Sequence, residues 1–326
     1  MLTGKRPYTL SLALSLFVLC AAPQRASAQN QTLRLPRPSQ KASIMQTVGV
    51  TDIRITYSRP GVKGRRILGD APPAAAATTN GTATLDGMTM GGSSPKDVPV
   101  VPYGHVWRTG ANEATVFEVS DNVLINGQPL AAGRYSLHTI PGRDEWTVIF
   151  NKDDGQWGSF EYDEKKDALR VRLKPQMVAD NQEWLRFNID PVTGNSAQVN
   201  LRWEKMSIPF TVEVKDVNAL VIEKARAAVA SAKPDDWQTR AQAANFAFQN
   251  KVDTEEAMQW LDQSIKIKET FSNVSMKARV LGEAGKFAEA AATGERAIQL
   301  GKEAKANPQT IASMEKLVAG WKAKGR

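Results

Sequence analysis

At Lys215 the apolar residues of this chain change their spacing, and that change limits the fold more than any other feature. Before it, apolar and polar residues alternate. "DIRITYS" sets Ile53, Ile55 and Tyr57 against Arg54, Thr56 and Ser58, and "TVFEVS" sets Phe117 and Val119 against Glu118. A period of two puts successive side chains on opposite faces of a strand. The pattern returns in "WTVIFN", "ALRVRLK", "WLRFNID", "AQVNLRWE" and "SIPFTVEVK", and an Asn-Gly pair at 126 and 127 marks a hairpin turn. Roughly nine or ten short strands divided by Gly, Asp, Asn and Pro predict an antiparallel β-sandwich or barrel-like domain.

After Lys215 the period is helical. "NALVIEKARAAVASA" stops before Pro234, and further helical segments run from "DDWQTRAQAANFAFQNK" to "TIASMEKLVAGWKAK". Two of them repeat. "EEAMQWLDQSIKI" and "AEAAATGERAIQL" align with Ala257 over Ala290, Ile265 over Ile298 and Ile267 over Leu300. A period of about 34 residues resembles tetratricopeptide-type helical hairpins, although the Trp–Leu–Gly–Tyr set of the first helix is missing. The expected fold class is therefore mainly β plus α: the β domain, then a TPR-like α-helical hairpin domain.

The first residues read as a leader. Lys5 and Arg6 precede an apolar run from Leu10 to Ala22, and "ASA" ends at Ala28. This is the layout of a cleaved secretory signal peptide, which predicts a periplasmic or secreted protein. The run is too short for a stable membrane span, and no later stretch is apolar enough to cross. The domain reading is 1–28 signal peptide, 29–42 flexible lead-in, 43–215 β domain and 216–326 helical-hairpin domain. Residues 70–99, rich in Ala, Gly, Pro, Ser and Thr and without periodicity, read as a disordered surface insertion in the β domain.

Cleavage sharpens what the composition excludes. Cys20, the single cysteine, lies in the leader, and Leu19 before it does not suit a lipoprotein signal. The mature chain then has no disulfide, no thiolate nucleophile and no cysteine-based metal site. Losing Lys5, Arg6 and Arg25 leaves 39 basic against 34 acidic residues, a net charge of +5 instead of +8. No block of Lys and Arg of nucleic-acid type occurs, so no nucleic-acid partner is expected.

Three strings are similar to one bacterial exported family. They are "PRPSQKASIMQTVGVTDIRITYSRPGVKGRRI", "VPYGHVWRTGANEATVFEVS" and "LAAGRYSLHTIPGRDEWTVIFNK". The chain from about 38 to 205 resembles the family catalogued as domain of unknown function 2911. In that family's usual pattern "GRxIFG" leads almost directly into "LVPYG". Here "GRRILG" and "VPYG" are separated by the 70–99 insertion, which marks it as peripheral. The resemblance implies a shared fold and no activity.

The polar residues of "GHVWRTGANEAT" are therefore weighed by their own chemistry. Arg108 offers a planar cationic fork for a carboxylate or phosphate. Glu113 shares strand parity with Phe117 and Val119, which would point it inward. One reading pairs it with Arg108 inside the fold while Asn112 ties a turn. The other has Arg108, Asn112 and Glu113 line a ligand pocket. His105 and His138 are the only histidines. Parity places His138 on the polar face of its strand, as a surface residue. Either histidine with Glu113 is a weak candidate for acid–base catalysis. Two histidines and a carboxylate are also a metal-ligand set, but the spacing carries no metal signature and no metal site is expected.

No G-x-S-x-G elbow, phosphate-cradling glycine loop or dinucleotide fingerprint occurs, and no cofactor is expected. Arg170, Arg172, Lys174, Arg186 and Arg202 fall on polar parities, and neighbouring strands would make them a cationic stripe. Trp157, Trp184 and Trp203 are candidate stacking platforms for sugars. The leading expectation is a non-enzymatic ligand-binding or scaffold protein of the envelope. Its β domain would hold an anionic or carbohydrate ligand, and its helices a protein or peptide partner. The alternatives are a hydrolase or isomerase acting on envelope carbohydrate or peptide, and a purely structural domain.

Overall fold

The computed structural model describes residues 35–70 and 98–325. The leader, residues 29–34 of the lead-in and all but the ends of the 70–99 insertion lie outside the described residues. The described residues from Pro38 onward form one compact unit.

Strands are numbered in chain order. β1 (Gln40–Val48), β2 (Thr51–Arg59), β3 (Leu68–Gly69) and β4 (Val101–Pro102) come first. β5 (Thr115–Val119), β6 (Val123–Ile125), β7 (Gln128–Leu130) and β8 (Gly133–Ile140) follow. β9 (Trp146–Asn151), β10 (Asp167–Leu173), β11 (Gln176–Val192) and β12 (Ser196–Glu213) complete the set. They form a six-stranded sheet in the order β1-β2-β5-β8-β9-β10 and a four-stranded sheet in the order β11-β12-β6-β7. Every pairing within these two sheets is antiparallel; the short β3–β4 pair is parallel.

The two sheets share one core, which is where the period-two residues go. Ile53, Ile55, Phe117 and Phe150 from the first sheet meet Leu201 and Val212 from the second. Each such side chain contributes about 1.5–3 kcal/mol when taken out of water. Phe117 and Phe150 meet edge to face at 5.1 Å, and Trp107 stacks on Trp203 at 5.7 Å. The Asn-Gly turn joins β6 to β7 with φ of 46° and 81°, the left-handed pair a tight hairpin needs.

Two sequence expectations change here. Trp203 is a core residue, 1% exposed, and no platform; Trp157 and Trp184 are exposed. The cationic residues form no single stripe. Arg170 and Arg172 lie on β10 in one sheet, whereas Arg186 and Arg202 face each other across β11 and β12 in the other. Arg170 is bound by Asp167 and Glu164, and Arg172 by Glu145.

The register between β11 and β12 breaks sharply. Met177 pairs with Met206 and Gln182 with Glu204, so residues 178–181 stand opposite Lys205 alone. Such bulges bend a strand and re-aim its side chains. Glu204 itself takes φ +47°.

Six helices follow the β part: α1 (Val217–Ser231), α2 (Trp237–Asn250), α3 (Thr254–Ile267), α4 (Phe271–Glu283), α5 (Phe287–Glu303) and α6 (Pro308–Lys324). Polar caps fix several starts. The Asp216 and Asp236 side chains accept from the third residue on, and Thr270 with Asn273 forms a capping box. The aligned alanines Ala257 and Ala290 are both fully buried, as close helix crossings require. A Cβ on Gly294 would run into Val318, and one on Gly282 into Trp321. The helices meet the sheets where Gly49, in the β1–β2 turn, abuts Val217 and where Lys224 pairs with Asp121 at 2.6 Å. No helix among the described residues is long and apolar enough to cross a membrane.

Candidate functional site

The segment from Gly104 to Thr115 leads into β5 and sends the Trp107 ring into the core between the two sheets. It is tied down by backbone groups: Trp107 N and O pair with Thr139, and the Glu113 backbone bridges to Trp157. Its polar side chains largely serve the same end. Arg108 is 2% exposed, and its Nη1 donates to the carbonyl of Asn112 at 2.6 Å. Thr115 Oγ1 donates to Thr109 O at 2.8 Å, and Trp107 Nε1 to Gly110 O at 3.2 Å. Asn112 Nδ2 reaches Ser39 O at 3.1 Å. Thr109 and Asn112 stand at φ of 55° and 61°, conformations that non-glycine residues hold only when neighbours enforce them. Gly110 is tightly packed: a Cβ there would sit 3.0 Å from Ser58 O and 3.1 Å from Thr115 Oγ1.

Strand parity does not fix the direction of Glu113, because β5 starts only at Thr115 and the chain is still turning through Asn112. Half-buried Glu113, with its Oε2 fully enclosed, borders a concavity of about 180 Å³ with Lys41, Thr56, Val116, Arg134 and Asp154. Arg134 is held by Asp154 at 2.7 Å and by Glu118 at 3.0 Å. Arg108 and Asn112 do not border this concavity.

His138 is not a surface residue. Parity gives its face, the one turned away from the core, but residues 152–166 fold back over that face. The ring is 0% exposed. Nδ1 lies 3.1 Å from Ser159 Oγ and Nε2 3.0 Å from Ser136 Oγ, and Tyr162 covers the ring at 5.2 Å. Rotatable hydroxyls satisfy either neutral tautomer. Burial pushes its pKa down to about 3; nearby Arg108 acts in the same direction and Asp153 opposes. His105 is also buried, 6% exposed. Among the described residues no group of three or more His, Cys, Asp or Glu side chains is placed to hold a metal ion.

A second concavity lies elsewhere. The β11–β12 bulge opens a hollow of about 440 Å³, a volume typical of small-molecule sites. Trp146, Met206 and Leu68 give it apolar walls, with Met177 at the rim, 79% exposed. Arg143 closes one side, bound to Asp70 at 2.6 and 2.8 Å and lying over the Tyr103 ring at 5.2 Å. Glu204, Lys205 and Asn181 also border it, and their side chains make no hydrogen bond or ion pair among the described residues. Burial, and then the nearby Glu183 carboxylate, hold the Glu204 carboxyl above its ordinary pKa. The sequence signal that could have found this hollow is "QMVADNQEW", where alternation lapses at Asp180 and Asn181 inside a strand.

Residues 88–212 match the model of a family described as protein of unknown function (DUF2911). The matched stretch holds the 104–115 segment, His138 and the bulge; residues 38–87 fall outside it. No curated protein and no solved structure matches the chain.

Proposed function

We propose that this is a non-catalytic ligand-binding protein of an exported compartment, with its ligand in the β part. The observation that carries this reading is the contrast between His138 and the bulge. An acid–base residue must reach a substrate proton and exchange it near neutral pH. His138 is enclosed, occupied at both nitrogens and neutral down to a pKa of about 3. The bulge hollow combines apolar walls with a few convergent polar groups, the usual make-up of a binding site. Glu113, in its smaller concavity, is then a secondary ligand-facing residue, while Arg108 and Asn112 position the turn.

Export rests on the leader sequence, and its check is the mature N-terminus, expected at Gln29. The helices are the proposed partner-facing part, supported by the 33-residue repeat of TPR-like hairpins. The binding reading is tested by native mass spectrometry of protein purified from envelope extract. A small-molecule mass increment, lost on denaturation, is expected. A bare chain that turns over envelope peptides or saccharides would contradict the reading and favour the hydrolase alternative.

A further inference from the structure

We propose that the hollow at the β11–β12 bulge binds a free, zwitterionic amino acid with a large apolar side chain. Glu204 takes its ammonium group, Lys205 and Asn181 its carboxylate, and Leu68, Met206 and Met177 its side chain. This assignment rests on reading the β part as a binding module and adds the ligand class.

The argument begins with the backbone. In a regular strand Glu204 and Lys205 would point to opposite faces. The left-handed conformation at Glu204 and the bulge opposite break that alternation, and Glu204, Lys205 and Met206 all border the same hollow. Consecutive Cα atoms are about 3.8 Å apart. A carboxylate and an ammonium group are thus presented side by side, as the complementary pair is in one amino acid.

The charges set the ligand's balance. Arg143 is neutralised by Asp70, which leaves Glu204 and Lys205 as the charged groups facing the space. A zwitterion satisfies both without adding net charge. Partial burial and the nearby Glu183 carboxylate both disfavour the ionised Glu204 carboxyl, so it gains from an ammonium donor on the ligand.

The walls set the ligand's body. A sugar would need an open aromatic face to stack on. Tyr103 already carries the Arg143 guanidinium, and Trp146 is 1% exposed. What remains is aliphatic and thioether surface, with Met177 flexible at the rim, which suits an apolar side chain.

The experiment is calorimetric titration of the full chain with phenylalanine, leucine and methionine, then with N-acetylphenylalanine and phenylalaninamide. At least one free amino acid is expected to bind, and blocking either its amine or its carboxylate is expected to weaken binding at least about tenfold. Glu204→Gln should weaken the free amino acid about tenfold and leave the acetylated one unchanged. Lys205→Ala should discriminate against the carboxylate in the same way. Circular dichroism confirms that both variants fold. Equal binding of free and blocked forms, or binding indifferent to Glu204→Gln, overturns the assignment. If no amino acid binds while a different small molecule co-purifies, the ligand class fails and the binding function stands. Turnover of envelope peptides or saccharides would overturn both.

Discussion

The 104–115 segment and the β11–β12 bulge are both crowded with polar residues, and they use them in opposite ways. In the first, Arg108, Thr109, Asn112 and Thr115 turn back on the chain: Arg108 donates to Asn112 O, Thr115 to Thr109 O and Asn112 to Ser39 O. In the second, Glu204, Lys205 and Asn181 border an open volume, and their side chains make no hydrogen bond or ion pair among the described residues. Chemical density in a sequence therefore marks a well-held turn as readily as a site. What distinguishes them is whether polar atoms find partners within the chain.

That contrast predicts where substitutions hurt. Trp107→Ala removes a ring stacked on Trp203 and should cost about 3–5 kcal/mol in urea unfolding. A loss below about 1 kcal/mol would show that the segment is not part of the core. Arg108→Met should cost about 1–3 kcal/mol, because it leaves the Asn112 carbonyl short of its buried donor. Gly294→Ala extends the comparison to the helices: overpacking against Val318 should cost about 1–3 kcal/mol, read as a lower urea midpoint.

His138 supplies a pH test of the same contrast. Its folded pKa of about 3 lies below the unfolded value of about 6.5. The unfolded state therefore binds the proton first. The stability associated with neutral His138 is intact above about pH 6.5 and is lost as pH falls from there towards 3, by up to about 1.4 kcal/mol per pH unit. Urea unfolding at pH 6.5 and 5.0 should show a drop that His138→Asn largely removes. An identical drop in the variant would place the ring in water. At the small end, Arg134→Ala should change stability by no more than about 1 kcal/mol, because its pairs with Glu118 and Asp154 are exposed.

The period-two and helical readings were legible because burial of alternate residues leaves a direct trace. β1 begins only three residues before the expected Ser43, and a helix forms on each helical segment named after Lys215. The site was less legible. Parity put His138 on the correct face, yet nothing in the local pattern showed that residues 152–166 cover it. Parity could not fix Glu113, because it had to be carried across a turn that ends after Asn112. The bulge was missed because residues 178–181 hold no motif; their meaning comes from standing opposite Lys205 on a strand more than twenty residues away. The cationic stripe failed for the same reason: which strands are neighbours is a long-range property.

The most direct test of the contrast is the unfolding free energy of Glu204→Gln at pH 7, measured against the wild type. A carboxyl whose pKa is raised on folding is a small liability to the fold when ionised, so the variant is predicted to be as stable as the wild type or slightly more so. A loss of more than about 1 kcal/mol would mean that Glu204 is spent on the fold, as Arg108 is, and the distinction between turn and site would collapse.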